Sequence, residues 1–405
     1  MRMHTVFKKL LCLQGARVRQ VDFRMESQTI RVSVTRRAWR HRCPHCNFST
    51  HATYDRHPRE WRHVSLGRWR VIIASTSHRI TCRQHGVVNE AFAWAAPGSL
   101  FTLDFEALVA WLAREMNKTA VAALAKIAWP TVGSIIERFV ARTINKRRLD
   151  DLFVIGLDEV SYRKGHKYLT VIANHLTGAP VWIEEGRSQK TLSAFFDELG
   201  PGRTGKLDTI TMDMAAAYIA EVRSRAPGAR IAFDPFHVVK LASEAVHDVR
   251  RAEARLRKGL PAADALKGSR WALLKAPERH TDEDRLRLAE VRQLNRRVYS
   301  AYLLKEELRA LYRCGARAAG RHLRAWIAWA CRSRLEPFVQ LASTLRKHRE
   351  GVLAAIELGV SNGRMEGLNN KIGVIKHRAY GFHSASALIA MVFLCCSGIQ
   401  ITLPI

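Results

Sequence analysis

Residues 152–240 constrain the fold more than any other stretch of this chain. LFVIGLDEVSY (152–162) is a continuous apolar run, as a strand covered on both faces requires. KYLTVIAN (167–174) and PVWIEE (180–185) follow after short turns, so the three segments form an antiparallel meander. The period then changes. TLSAFFDELG (191–200) reads as a helix, LDTITMD (207–213) as a strand, MAAAYIAEVRSRAP (214–227) as a helix and ARIAFD (229–234) as a strand, and a further helix starts near Pro235.

Asp158 stands in the middle of the first of these strands, where an acid is costly unless paired, protonated or bound to metal. Asp213 ends the fourth strand. The element order is that of a ribonuclease H-like sheet, a likeness of fold alone. In that order the first and fourth strands are neighbours, so both acids face one cleft. SNGRMEGLNNKIG (361–373) supplies a third, Glu366. Met365, Leu368, Ile372 and Ile375 recur there at helical spacing as an apolar stripe, and Glu366, Asn370 and His377 fall on another side. Hard cations take oxygen ligands, and two of them about 4 Å apart activate an attacking oxygen and stabilise a leaving one. Three converging carboxylates are what two magnesium ions need. Lys371, Lys376 and Arg378 of the same stretch then offer positive charge to a phosphate backbone held at those ions. Each acid also has a plainer reading: Asp213 as a helix cap, Asp158 paired with a buried arginine, Glu366 as a first-turn acid favoured by the helix dipole. Their conjunction favours metal.

Upstream, QTIRVSVTRR (28–37) alternates as a strand does, and RVIIASTSHRITCRQHG (70–86) reads as a second strand pair. Cys43 and Cys46, then Cys82 and His85, form two ligand pairs with the spacing of knuckles around one tetrahedral zinc, a closed and therefore structural site. The plain alternative is a chance CxxC beside a surface histidine. Next, LDFEALVAWLAREM (103–116) places Phe105, Leu108, Val109 and Leu112 on one helical stripe, with Asp104 near its start. NKTAVAALAKIAWPTVGSIIERFVART (117–143) splits into two helices at Ala128-Trp129-Pro130, with Pro130 in the new first turn. A short helix, a tight turn and a second helix presenting Thr131, Ser134 and Arg138 look like a helix-turn-helix, beside the plain alternative of two packed helices.

Lys and Arg number 66 against 36 Asp and Glu, a formal charge of +30, which favours a polyanionic partner. Residues 241–355 carry almost no strand signal and are helical and basic, as an insertion lying along DNA phosphates would be. A membrane is not the expected partner. The opening MRMHTVFKKLLCLQGARV has only a short apolar run broken by lysines, and ALIAMVFLCCSGIQITLPI at the end is too short and interrupted for a span. That last stretch reads as a buried helix running into an extended tail. Cys12, Cys314, Cys331, Cys395 and Cys396 read as small core residues of a reducing compartment, so the expected location is cytoplasmic.

Three blocks, GLDEVSYRKGHKYLTVIANHLTGAPVWI, TITMDMAAAYIAEVRSRAPGARIAFDPFHVVK and SNGRMEGLNNKIGVIKHRAYGF, resemble the catalytic blocks of DDE transposases of bacterial insertion sequences, in particular the ISL-three group. The cysteine-rich module and helix-turn-helix extend the resemblance over nearly the whole chain. It implies Asp158, Asp213 and Glu366 as the DDE triad, binding Mg2+ (or Mn2+) for end cleavage and strand transfer. Asp234 and His237 resemble a further signature of the group, and His85 stands where that group usually has a fourth cysteine. The implied architecture is an α+β multidomain chain. A zinc-binding module occupies 1–95, a helix-turn-helix 96–148, the first part of a ribonuclease H-like catalytic domain 149–240, an α-helical insertion 241–355 and the second part, carrying the Glu, 356–405. The implied partners are the element's terminal inverted repeats, target DNA, and a second copy or larger synaptic complex, in a bacterial cytoplasm and on the nucleoid. Two rivals stay open at this point, a non-catalytic zinc/helix-turn-helix regulator and a ribonuclease H-like nuclease without strand transfer.

Overall fold

The computed structural model describes residues 3–163, 165–359, 363–379 and 381–404. It divides into two compact units, one of residues 1–144 with 386–405, the other of residues 145–385.

The first unit begins with α1 (Met3–Leu11), β1 (Ala16–Arg24) and β2 (Thr29–Arg36). The alternation in TIRVSVTR buries Ile30, Val32 and Val34 on one face of β2. β3 (His41–Arg42) and β4 (Ser49–Thr50) form a small antiparallel ribbon. β5 (Asp55–Leu66) and β6 (Trp69–Cys82) make a long hairpin, and β7 (Gly86–Asn89) returns along the end of β6. The main sheet runs β1-β2-β6-β5, with β2 parallel to β6. The expected strand pair over 70–86 is thus one 14-residue strand that pairs upstream with β5 and turns back only at Gly86. Serines and threonine at 75–77 did not end it, because β5 supplies a full ladder opposite them.

The same unit carries α2 (Leu103–Glu115), α3 (Lys118–Ala125) and α4 (Trp129–Thr143). Thr102 caps α2 and Asn117 caps α3 through their side chains. Lys126 ends α3 in the left-handed conformation at φ 52°, and α4 has its proline in the first turn. The two helices are bent by 100° at this break. Among the described residues no single helix is long and apolar enough to cross a membrane.

The second unit holds β8 (Val154–Arg163), β9 (Lys167–Asn174), β10 (Pro180–Glu185), α5 (Gln189–Leu199), α6 (Pro201–Thr204), β11 (Thr209–Met212), α7 (Ala216–Arg225) and β12 (Arg230–Phe233). Its sheet order is β10-β9-β8-β11-β12. The first three strands are antiparallel, and β11 runs parallel to both β8 and β12. From there to residue 357 the described elements are helical: α8 (Pro235–Leu256), α9 (Pro261–Asp264), α10 (Arg270–Leu274), a 3-10 turn, α11 (Asp282–Leu294), α12 (Arg296–Leu311), α13 (Ala316–Arg332), α14 (Glu336–Lys347) and α15 (Arg349–Glu357). Leu157, Ile172, Phe195 and Ile210 of the sheet layers share one core with Val246, Leu308, Trp326 and Phe338 of these helices. At Gly351 a methyl group would sit 2.4 Å from the Phe233 ring, so only glycine lets α15 lie this close to β12.

α16 (Gly363–Arg378) follows, and Met365, Leu368, Ile372 and Ile375 are its buried residues, as the stripe requires. Ser361 and Asn362 of the same block lie outside the described residues. α17 (Ala385–Cys396) leads into the extended tail, and residues 386–405 group with the first unit rather than with the Glu366 segment that the sequence reading joined them to.

Candidate active site and metal centres

The register of the parallel strands brings the acids together. Thr209 pairs with Val154 and Thr211 with Gly156. Carried two residues further, that offset sets Asp213 level with Asp158. Met212 pairs with Phe233, and the Asp234 amide donates to the Met212 carbonyl at 3.2 Å, so Asp234 stands level with Asp213. Three acids therefore stand level across three adjacent strands, Asp158 in the middle of β8 and Asp213 and Asp234 just past the carboxyl ends of β11 and β12, the end at which open sheets of this kind bind ligands.

α16 closes the other side. It approaches β8 directly over Gly156, where a methyl group would sit 2.7 Å from the Met365 side chain. That approach brings Asn369 to Asp158, and its amide donates to Asp158 Oδ2 at 2.5 Å. The Glu159 amide donates to Oδ1 at 2.7 Å. Among the described residues no arginine pairs with Asp158. Asp213 does not cap α7, whose start at Ala215 has no side-chain cap. A cleft of about 330 Å³ is lined by Asp158, Asp234, His237, Glu366 and Asn369, among others. Asp158 and Glu366 line this cleft, and Asp158 also belongs to a tight group with Asp213 and His237, whose ligand atoms all lie within 4.8 Å of one another. Glu366 is exposed, in the first turn of α16, outside that group.

His237 lies in the first turn of α8, capped by Asp234, whose Oδ1 accepts from the Phe236 amide at 3.0 Å. Its Nε2 is 3.0 Å from Asp213 Oδ1 and 3.6 Å from Asp234 Oδ2. The hydrogen bond to Asp213 raises the ring above the ordinary histidine value against the effect of burial, and the charges of all three aspartates add to it. Burial raises the Asp158 carboxyl, and the nearby Asp213 charge pushes the same way, partly opposed by the Glu159 amide, Asn369 and His237. Two carboxylates and a ring nitrogen gathered within 4.8 Å have room for added positive charge, and oxygen donors suit a hard divalent cation. The residues present fit such an ion.

Asn369 is the residue here that sequence reasoning passed over. Its Oδ1 is buried without a partner among the described residues. Asn369→Ala removes the donor that fixes one oxygen of Asp158; if Asp158 serves DNA cleavage, single-turnover cleavage should fall roughly 10–100-fold, as it does when partners that orient functional groups are lost. Unchanged cleavage would show that Asp158 needs no such support.

The basic residues named from the sequence divide. Lys376 donates to the Ser161 carbonyl of β8, whereas Lys371 is exposed and Arg378 is half-buried near the end of α16. In the helix-turn-helix, Ser134 is exposed and Thr131 half-buried. Arg138 is turned onto Glu106, its Nε 2.9 Å from a carboxylate with no exposed surface, and Arg142 pairs with the other oxygen at 2.8 Å. A buried acid on α2 needs these counter-charges, so Arg138 ties α4 to α2 rather than standing on an open face.

The first unit contains the other centre. Cys43 and Cys46 occupy the β3–β4 turn, and Cys82 and His85 the β6–β7 turn, and the four ligand atoms lie within 4.8 Å of one another. Cys46 and Cys82 Sγ are 3.6 Å apart, Cys43 Sγ and His85 Nδ1 3.7 Å, and Cys82 Sγ and His85 Nδ1 3.5 Å. A tetrahedron with Zn–S bonds of ~2.3 Å has edges of about 3.8 Å, so these residues fit zinc. Burial acts to raise the Cys82 thiol. The His85 ring, the Gln84 and His85 backbone and Cys46 outweigh it and bring it to about 6, toward the thiolate that binds metal. One zinc per chain is expected by colorimetric release. Cys46→Ser should lose it together with DNA-end binding, whereas His85→Cys should keep it; full zinc content in Cys46→Ser would remove the site.

Comparison with known proteins gives a consistent picture. Residues 155–392 match the model of a family described as transposase, of the ISL3 group, and residues 90–140 match the helix-turn-helix domain of transposase family ISL3. The chain is 38% identical over 391 residues to the transposase for insertion sequence element IS1557 of Mycobacterium tuberculosis, covering 90% of this chain and 87% of that protein. It is 30% identical over 347 residues to the transposase for insertion sequence element IS1001 of Bordetella parapertussis, covering 84% and 85% respectively.

Proposed function

The chain belongs to the ISL3 family of insertion-sequence transposases, and on that footing we propose that it binds the terminal inverted repeats of its element, cleaves the DNA there and joins the freed end to target DNA by Mg2+-dependent phosphodiester hydrolysis and transesterification. The sheet order, antiparallel on one side of β8 and parallel on the other, supports a ribonuclease H-like catalytic domain, with the helices over 241–355 as its insertion. The zinc module and helix-turn-helix of the first unit would read the ends, with Thr131 and Ser134 on the approach to DNA.

Asp158, Asp213 and Glu366 would hold Mg2+ (or Mn2+). The bound ions supply Lewis-acid activation and charge neutralisation at the phosphodiester. The chain's own residues do the rest. Asn369 and the Glu159 amide hold the Asp158 carboxylate in one orientation. Lys371 and Arg378 on α16 offer positive charge to the backbone beside the cleft. Water attacks the phosphodiester at the element end and frees a 3′-hydroxyl, which then attacks a target phosphodiester, joining to its 5′-phosphate and releasing the target strand's own 3′-hydroxyl. Two ends join in one event, so a homodimer or larger synaptic complex in the cytoplasm is part of the proposal.

The observation that carries this reading is the convergence of Asp158 and Asp213 on adjacent parallel strands, with Glu366 on the rim of the same cleft. Its test is a cell-free assay with the DNA ends that flank the coding region. The wild-type chain should cut and join them. Glu366→Gln should bind them and leave them uncut. Cutting without joining by the wild-type chain would favour a nuclease, and retained cleavage by Glu366→Gln would remove Glu366 from the chemistry.

A further inference from the structure

The triad read from the sequence consists of acids alone, yet the closest set of ligand atoms beside the cleft contains an imidazole. Asp158, Asp213 and His237 each bring one donor atom to within 4.8 Å of the other two. Cis ligands of an octahedral cation with ~2.1 Å bonds stand about 3.0 Å apart. The 3.0 Å between His237 Nε2 and Asp213 Oδ1 matches that spacing as well as it matches a hydrogen bond.

The ring is also built into place. Asp234, 5% exposed, caps α8 and sits behind Nε2 at 3.6 Å. Val238, Ala242 and Val246, on the buried side of α8, anchor the helix in the core of the second unit. His237 is therefore held toward the acids by the same helix that carries the insertion, on the side of the cleft opposite α16.

We infer that His237 supplies a ring nitrogen to the divalent cation held between Asp158 and Asp213, giving that position a donor set of two carboxylates and one imidazole. This rests on the metal-dependent reading above and deepens it. Glu366, outside the tight group, then serves the part of the cleft nearer α16. The donor set has a consequence for metal choice. Carboxylate sites suit Mg2+ and Mn2+ alike, whereas an imidazole nitrogen shifts preference toward transition metals. The wild-type chain should favour Mn2+ over Mg2+ in binding, and loss of the ring should reduce that preference.

The alternative is that His237 only donates a hydrogen bond and orients Asp213. Pulsed electron paramagnetic resonance of Mn2+ on the zinc-loaded, DNA-free full chain separates the two. The inference predicts a nitrogen coupling from a directly bound imidazole, which changes to the 15N pattern when histidine is 15N-labelled. It also predicts that His237→Gln loses the coupling and binds Mn2+ at least about tenfold more weakly. Bound Mn2+ without nitrogen coupling in the wild-type chain overturns the assignment of His237 and leaves the acids in place, and that arm needs no variant to fold. A coupling that persists in His237→Gln overturns it too. Asp158→Asn is the control for the underlying reading: unchanged Mn2+ affinity in that variant would overturn the metal site itself.

Discussion

Asp158→Asn should abolish strand cleavage while leaving binding to the element ends intact. The substitution keeps the size of the side chain and one acceptor oxygen but removes the charge from the middle of the site. Asp158 is held by the Asn369 amide and the Glu159 backbone, so the new amide would also face an existing donor across a 2.5 Å contact. Loss of one charged anchor of a phosphoryl-transfer site is expected to slow cleavage by roughly a thousandfold or more, about 4 kcal/mol of transition-state stabilisation. Single-turnover cleavage of labelled end DNA and a gel-shift assay measure the two properties separately. The zinc module and helix-turn-helix lie in the other compact unit, so the gel shift should be that of the wild-type chain. Cleavage within tenfold of wild type would place the chemistry elsewhere.

The second large effect concerns stability. Glu106 has no exposed surface and accepts from Ser99 Oγ at 2.8 Å, from Arg138 and from Arg142. Glu106→Ala leaves two guanidinium groups of α4 side by side at the α2–α4 contact without their counter-charge. Removing one partner of a buried ion pair costs about 3–5 kcal/mol. Both arginines are about a third exposed and can turn toward solvent, so the lower end, ~3 kcal/mol, is expected. That corresponds to roughly 6–12 °C in the melting of a unit of this size. A double-mutant cycle with Arg138→Ala should show strong coupling. Arg138→Ala alone should lower the melting temperature and weaken end binding without changing sequence preference. An altered base preference in that variant would return Arg138 to the DNA-reading face.

Much of the catalytic unit was legible in the sequence because its strands are buried on both faces and bounded by tight turns. KYLTVIAN and PVWIEE match β9 and β10 end for end. The element order makes β8 and β11 neighbours, and the observed ladder then supplies the register that sets Asp213 beside Asp158. The apolar stripe of α16 fixed its buried side in the same way. Less local features stayed hidden. Glu106 reads as one more polar residue beside a helical stripe, and only packing of α4 reveals it as the buried acid. Two adjacent asparagines follow Leu368, and the phase of α16 over Gly156 decides that Asn369 meets Asp158 while Asn370 is exposed. His237 was visible as part of FDPFH, but its distance to Asp213 depends on the cap at Asp234. An all-apolar helix such as α17 carries no signal of which core it joins.

The proposed chemistry needs cations held by Asp158 of β8 and Asp213 after β11, with Glu366 on the rim of the cleft. The most direct measurement is anomalous scattering at the manganese edge from crystals of the full chain with Mn2+ and a cleaved element end. Strong peaks are expected between Asp158 and Asp213 and within the cleft bordered by Glu366, next to the DNA 3′-hydroxyl. Manganese bound only away from these three side chains, with the 3′-hydroxyl at a different surface, would contradict that chemistry.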